Sequence, residues 1–136
     1  MSGRRAGTIG IAAMALMGLP AGIAEAASVR ELIRRGNDLY SGGDHAAALA
    51  LYAEAMETDP SFVEALYNEA CARHQLGEFE RAEELFRQVE AAENASPELL
   101  ARSRYNRGNA IYESAMAGAA EDPEGTIERL KEAVAA

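Results

Sequence analysis

Val29-Arg-Glu-Leu32-Ile33-Arg-Arg-Gly36-Asn37-Asp-Leu-Tyr40-Ser41-Gly42-Gly43-Asp44-His45-Ala-Ala-Ala48-Leu-Ala-Leu-Tyr52-Ala-Glu-Ala55-Met-Glu-Thr-Asp-Pro60-Ser-Phe62 decides the fold. Apolar residues recur at helical spacing on both sides of Ser41-Gly42-Gly43, a cluster that favours a tight turn. Sliding the chain against itself by 34 residues sets Leu32 on Leu66, Gly36 on Ala70, Gly43 on Gly77, Ala48 on Ala82 and Tyr52 on Phe86. Each pair matches in size. A period of that length is the signature of stacked helix–turn–helix units, none of which can bury its apolar face alone. Small residues at 36, 48 and 55 let two helices approach closely, and Leu32 and Tyr52 fill the space between them.

Helix starts and stops follow the same plan. Ser28 with Glu31, and Ser61 with Glu64, read as Ser-x-x-Glu capping boxes. Asp44 is placed to cap the second helix, and Gly77 marks the turn in the second unit. Ser96-Pro97 and Asp122-Pro123 each set a capping residue before a proline at the first helical position. Beyond residue 96 the stripe Ala101, Tyr105, Gly108, Tyr112, Ala115 and Ala119 runs past the expected turn. It predicts a long helix from Pro97 to about Ala120. A partner from Glu124 to Val134 carries Ile127, Leu130, Ala133 and Val134 on one side.

These residues resemble the tetratricopeptide repeat family. The first unit, 29–62, matches the family's pattern at Leu32, Gly36, Ala48, Tyr52, Ala55 and Pro60. The second, 63–96, matches at Leu66, Ala70, Ala82, Phe86 and Val89, with Asn94 in place of the proline. The third, 97–136, is degenerate, with a longer first helix. The resemblance implies an all-α, right-handed superhelical array of about three helix–turn–helix hairpins that binds protein or peptide in a concave groove lined by the first helices. Carried over by place, the groove takes Arg30, Ile33, Asn37, Tyr40 and Ser41, then Glu64, Tyr67, Cys71, His74 and Gln75, then Arg102, Tyr105, Asn109, Tyr112 and Glu113. Arg30, Asn37, Tyr40, Tyr67, His74, Arg102, Tyr105, Asn109 and Tyr112 are the candidate partner-binding residues. Tyrosine, with a rigid face and a polar tip, suits such a surface. Tyr67 and Tyr105 can equally pack between adjacent helices. A carboxylate-gripping variant of the family matches at Asn37, Asn68 and Arg102, but Ile33 and Asn106 stand where cations are required, so that reading is not adopted. Within the family, Arg104-Tyr-Asn-Arg-Gly-Asn-Ala-Ile-Tyr112 and the short exported form are similar to the bacterial aerotolerance (Bat) group.

Composition narrows the class. At 136 residues the chain is too short for a barrel of about 250 residues. A net charge of −9 repels phosphate backbones and argues against nucleic acid as a partner. The single cysteine, Cys71, precludes an intrachain disulfide. Cys71 and His74 share a helical face, as half a metal site would. Two ligands are too few for zinc, and no metal or other cofactor is expected. The acidic run from Glu78 to Glu93 reads as a solvated helix face, and His45 as an exposed residue at a helix start. No catalytic motif is present, so the chain is not expected to be an enzyme.

The first 26 residues read as a secretory signal. Arg4-Arg5 precede an uncharged stretch from Ile9 to Leu19, Pro20 breaks it, and Ala24-Glu25-Ala26 offers cleavage before Ala27. The apolar run, Ile9 to Ala24 at most, falls short of the about 20 residues of a spanning helix. The expectation is an exported protein of the periplasm or cell envelope. The alternatives are a membrane-tethered assembly factor that retains residues 9–24, as part of a membrane-associated complex, and a small metal carrier using Cys71 and His74. The apolar side of 124–136 could serve self-association.

Overall fold

A computed structural model describes the chain from residue 21 onward, and its side chains from Ser28. Six helices follow in order: α1 (Ala21–Ser41), α2 (His45–Thr58), α3 (Val63–Gln75), α4 (Phe79–Ala91), α5 (Pro97–Gly118) and α6 (Pro123–Ala135), with no strand among the described residues. Consecutive helices pack as hairpins, each hairpin packs on the next, and α3 touches both α1 and α5. The predicted all-α array is what forms.

The turns of the first two hairpins are the same structure. Gly43 N–H donates to Tyr40 O and Asp44 N–H to Leu39 O; 34 residues on, Gly77 N–H donates to His74 O and Glu78 N–H to Arg73 O. This crossed pair of bonds satisfies the last carbonyls of a helix and requires a left-handed residue. Gly43 and Gly77 supply it, with φ of 86° and 79°. Asp44 then caps α2 through Ala47 N–H at 3.1 Å. The third hairpin turns differently. Helix α5 runs two turns longer than α3 and ends without a left-handed glycine. Ser96 and Asp122 cap α5 and α6 through Leu99 N–H and Gly125 N–H, as their Pro-adjacent positions predict.

Two expected caps are not formed. Helix α1 is already under way at Ala21, so Ser28 lies inside it, and Glu31 pairs with Arg34 at 2.7 Å instead. An alanine-rich lead-in favours helix and gives Ser28 no end to cap. At α3 the cap position falls to Phe62, and Ser61 donates its N–H and its hydroxyl to Asp59 Oδ1. The carboxylate two residues upstream accepts both donors, including the N–H that a capping box would give to Glu64, and is itself held below the usual carboxylate pKa by them. Asn94, standing where the repeat pattern has proline, donates to Ser61 O at 2.8 Å and ties the end of the second hairpin back to its own start.

Packing follows the small and large pattern. Ala48, Ala55, Ala70 and Ala82 are fully buried. A Cβ on Gly36 would stand 2.5 Å from the Tyr52 ring, so only glycine fits there. Tyr52 is buried beside Ala48 and Ala72, and its hydroxyl donates to Asn37 Oδ1 at 2.7 Å. Between hairpins two and three, Ser103 is buried and donates to Phe86 O at 2.9 Å. The acidic face of α4 is not wholly solvated. Glu83 is buried between Arg87 and Arg129 at 2.6 and 3.0 Å, and the half-buried Glu90 meets Arg107 at 2.8 Å. Arg107 of α5 and Arg129 of α6 come from other elements, a pairing that the local charge pattern does not reveal. His45 is likewise half-buried, its ring 4.8 Å from that of Tyr40.

Residues 1–20, the bulk of the expected signal, lie outside the described residues. Residues 21–26 are the first turns of α1. Among the described residues no helix is long and apolar enough to cross a membrane.

Candidate functional site

Helices α1, α3 and α5 lie side by side and form one face of the array. Two adjoining depressions open on it, about 390 and 160 Å³ in volume, sharing Tyr40, Cys71 and Asn106. The larger also takes Asn37, Glu64, Tyr67, Asn68 and Arg102, and the smaller takes His74, Gln75 and Asn109.

Hydrogen bonds fix the amides of this surface. Asn37 Oδ1 accepts from Tyr52 Oη at 2.7 Å and from Asn68 Nδ2 at 3.1 Å, which leaves the Asn37 amide N–H groups for a ligand. Asn106 Nδ2 donates to Tyr67 Oη at 2.7 Å, with Cys71 Sγ at 3.8 Å, which leaves its carbonyl oxygen as an acceptor. Asn68 Oδ1 has no hydrogen-bond donor among the described residues. The depression therefore presents both donors and acceptors in set orientations. The Arg102 guanidinium lies 4.8 Å from the Tyr67 ring centroid, a cation–π contact, and takes no carboxylate partner among the described residues. It also borders a third cavity of about 530 Å³ between the starts of α3 and α5, lined by Phe62, Asn94 and Ser96 among others.

Burial favours the neutral forms of Tyr40, Tyr67, Cys71 and His74. The Tyr67 hydroxyl is pushed up to about 12, by burial first and then by the neighbouring Cys71 thiol. Burial raises the Cys71 thiol and the Tyr40 hydroxyl, and it lowers the His74 imidazole against a smaller opposing pull from Glu113. A thiol held protonated is a poor nucleophile and a poor metal ligand. Among the described residues no three His, Cys, Asp or Glu side chains cluster to hold a metal ion.

Of the residues picked out in the sequence, Asn37, Tyr40, Tyr67, His74, Arg102 and Asn109 converge on these depressions. Tyr67 does so as floor. Only 4% of it is exposed, and it packs with Val63, Ala70 and Phe86, so it is a core residue whose hydroxyl reaches the surface. Arg30 stands apart, its guanidinium 5.8 Å from the Phe62 ring. Tyr105 and Tyr112 line a separate depression between α5 and α6, with Arg104, Gly108, Leu130 and Val134; Asn109 borders both. Asn68 and Asn106 enter the sequence reading only through the rejected carboxylate grip. Their places beside Tyr67 and Tyr105 in the paired strings Tyr67-Asn68 and Tyr105-Asn106 are the signal that could have found them.

Paired helices at a 34-residue spacing, turned by matching glycines and lined by first helices, define a helical-hairpin repeat scaffold. Residues 39–102 match the sequence profile of the tetratricopeptide repeat, which supports the resemblance to that family. The match is to the repeat itself and lends no support to the narrower likeness to the aerotolerance group. The comparison with curated proteins gave no match. Tetratricopeptide repeats are non-catalytic scaffolds that generally mediate protein–protein interaction.

Proposed function

We propose that this chain is an exported scaffold that binds a peptide or an exposed segment of a protein in the groove of α1, α3 and α5. The observation that carries the reading is the locked set of amides at Asn37, Asn68 and Asn106 beside the Arg102 guanidinium. Amides with free donors and acceptors pair with a polypeptide backbone, which offers the same groups. Fixing them in advance lowers the entropy lost on binding. Arg102, bordering two cavities, favours a carboxylate on the ligand. Export rests on the pattern of residues 1–26, and the periplasm or cell envelope is the compartment it implies.

A pull-down from the native envelope tests the groove. Arg102 is exposed and Asn109 is half-buried without a structural hydrogen bond among the described residues, so Arg102→Glu with Asn109→Ala should preserve the helices. Tyr67→Ala is unsuitable, because it empties the core. A protein retained by the wild type and lost by the double variant, with unchanged circular dichroism, supports the proposal. Equal retention contradicts it. Mass spectrometry of the exported chain settles the tethered alternative, since a mature start at Ala27 removes residues 9–24.

A further inference from the structure

The two depressions on the α1, α3 and α5 face differ in size and in charge. The larger, about 390 Å³, carries Glu64 and Arg102. The smaller is about 160 Å³, and among the described residues no Lys, Arg, Asp or Glu lines it. A space of about 150 Å³ admits a benzene-sized ring. The smaller recess therefore matches one side chain, not a folded segment. Its own titratable groups lean to their uncharged forms: burial raises the Cys71 thiol and the Tyr40 hydroxyl. Burial also lowers the His74 imidazole and outweighs the pull of Glu113, which acts from beyond the lining. A charged side chain entering here would shed water without meeting an opposite charge in the lining.

The walls suit a ring. Tyr40 of α1 and His74 of α3 both border the recess. Each is braced by another ring, Tyr40 by His45 at 4.8 Å between centroids and His74 by Phe79 at 5.3 Å. Rings gain from tilted or offset contact with rings beyond the area they bury. Between them the half-buried Cys71 behaves as a small hydrophobe. Asn106 and Asn109 of α5 complete the lining, and the Asn106 carbonyl oxygen remains to accept a hydroxyl. A phenol is thus accommodated as well as a plain phenyl ring. We propose that this recess is a subsite for one uncharged aromatic side chain, tyrosine or phenylalanine, of the polypeptide held in the groove. The occupant rests on the groove reading above, whereas the recess can be tested without the partner.

A nuclear magnetic resonance titration of the full chain with phenol provides that test. Phenol should shift the signals of Cys71, Asn106 and Asn109 and half-saturate at about 5 mM, the range open to so small a ligand. Cyclohexanol, of the same size without the aromatic face, should bind about threefold more weakly or worse. Acetate and ethylammonium should leave these signals in place. Asn109→Phe, which sets a ring at the recess from α5 itself, should weaken phenol by about tenfold or more, with circular dichroism confirming the helices. Arg102→Glu, in the larger depression, should leave phenol binding unchanged. No saturable shift up to about 50 mM phenol, an equal response to cyclohexanol or to either ion, or full phenol binding by Asn109→Phe overturns the proposal. Phenol binding without a captured partner would reject the groove reading, and capture without phenol binding would reject the subsite.

Discussion

Tyr67 on α3 and Tyr105 on α5 are followed by the same residue, asparagine, and sit one unit apart in the array. One is 4% exposed and the other 73%. The difference is made by the neighbour, not by the residue. Helix α5 lays Arg102 and Asn106 over Tyr67, and the described residues lay nothing over Tyr105. The second and third hairpins differ in their turns as well. The second closes on a left-handed Gly77, and the third extends α5 to Gly118 and turns without one. In a linear array a side chain's role is set by the unit beside it.

The largest expected effect tests that contrast directly. Tyr67→Ala removes a ring from the cluster with Val63, Leu85, Phe86 and Ala110 and should cost about 3–5 kcal/mol by urea unfolding. Tyr105→Ala, measured at a dilution where the chain is monomeric, should change stability by about 0.5 kcal/mol or less. Comparable losses at the two sites would show that Tyr105 has a cover in solution.

Alkali separates the buried tyrosines next. Tyr52 and Tyr67 are pushed up to about 12 from the ordinary 10.0, chiefly by burial. Between these values the folded chain holds protons that the unfolded chain has lost, so stability falls as pH rises from about 10 to 12. The slope is about 1.4 kcal/mol per pH unit for each tyrosine. Tyr67→Phe should remove one tyrosine's share, read from melting points against pH.

The turns offer a smaller test. Gly77→Ala places a Cβ at φ 79° and should cost about 1 kcal/mol. Gly118→Ala, at the end of α5 with open space around its Cβ, should stabilise by up to about 1 kcal/mol, from helix propensity. Thermal unfolding of the two variants gives the comparison. The smallest effect is at His74. Burial holds its pKa below the ordinary 6.5, so stability should fall as pH drops through the region below about 6.5, where the unfolded imidazole gains a proton first. His74→Gln should flatten that part of the stability curve.

The array was legible because its signals are local. The 34-residue spacing, the caps at Asp44, Ser96 and Asp122, and the turns at Gly43 and Gly77 each act within a few residues of chain. What could not be read was set between elements. Glu83 and Glu90 look like surface carboxylates until Arg129 and Arg107 are brought to them from α6 and α5. Ser61 carries a capping motif, yet Asp59 takes its donors first. Among the groove residues, the places implied by the repeat-family resemblance were enough to assemble Asn37, Tyr40, His74, Arg102 and Asn109. They were not enough to tell that Tyr67 is floor, that Asn68 and Asn106 line the cavity, or that Tyr105 and Tyr112 belong to another face.

Photo-crosslinking in the native compartment tests the groove most directly. A photoreactive side chain replaces Gln75, which is exposed at the smaller depression, and in a parallel sample Arg81, which is exposed on α4. The account predicts a discrete protein adduct from position 75 and none of that mass from position 81. The same adduct at equal yield from both positions would contradict a concave binding face.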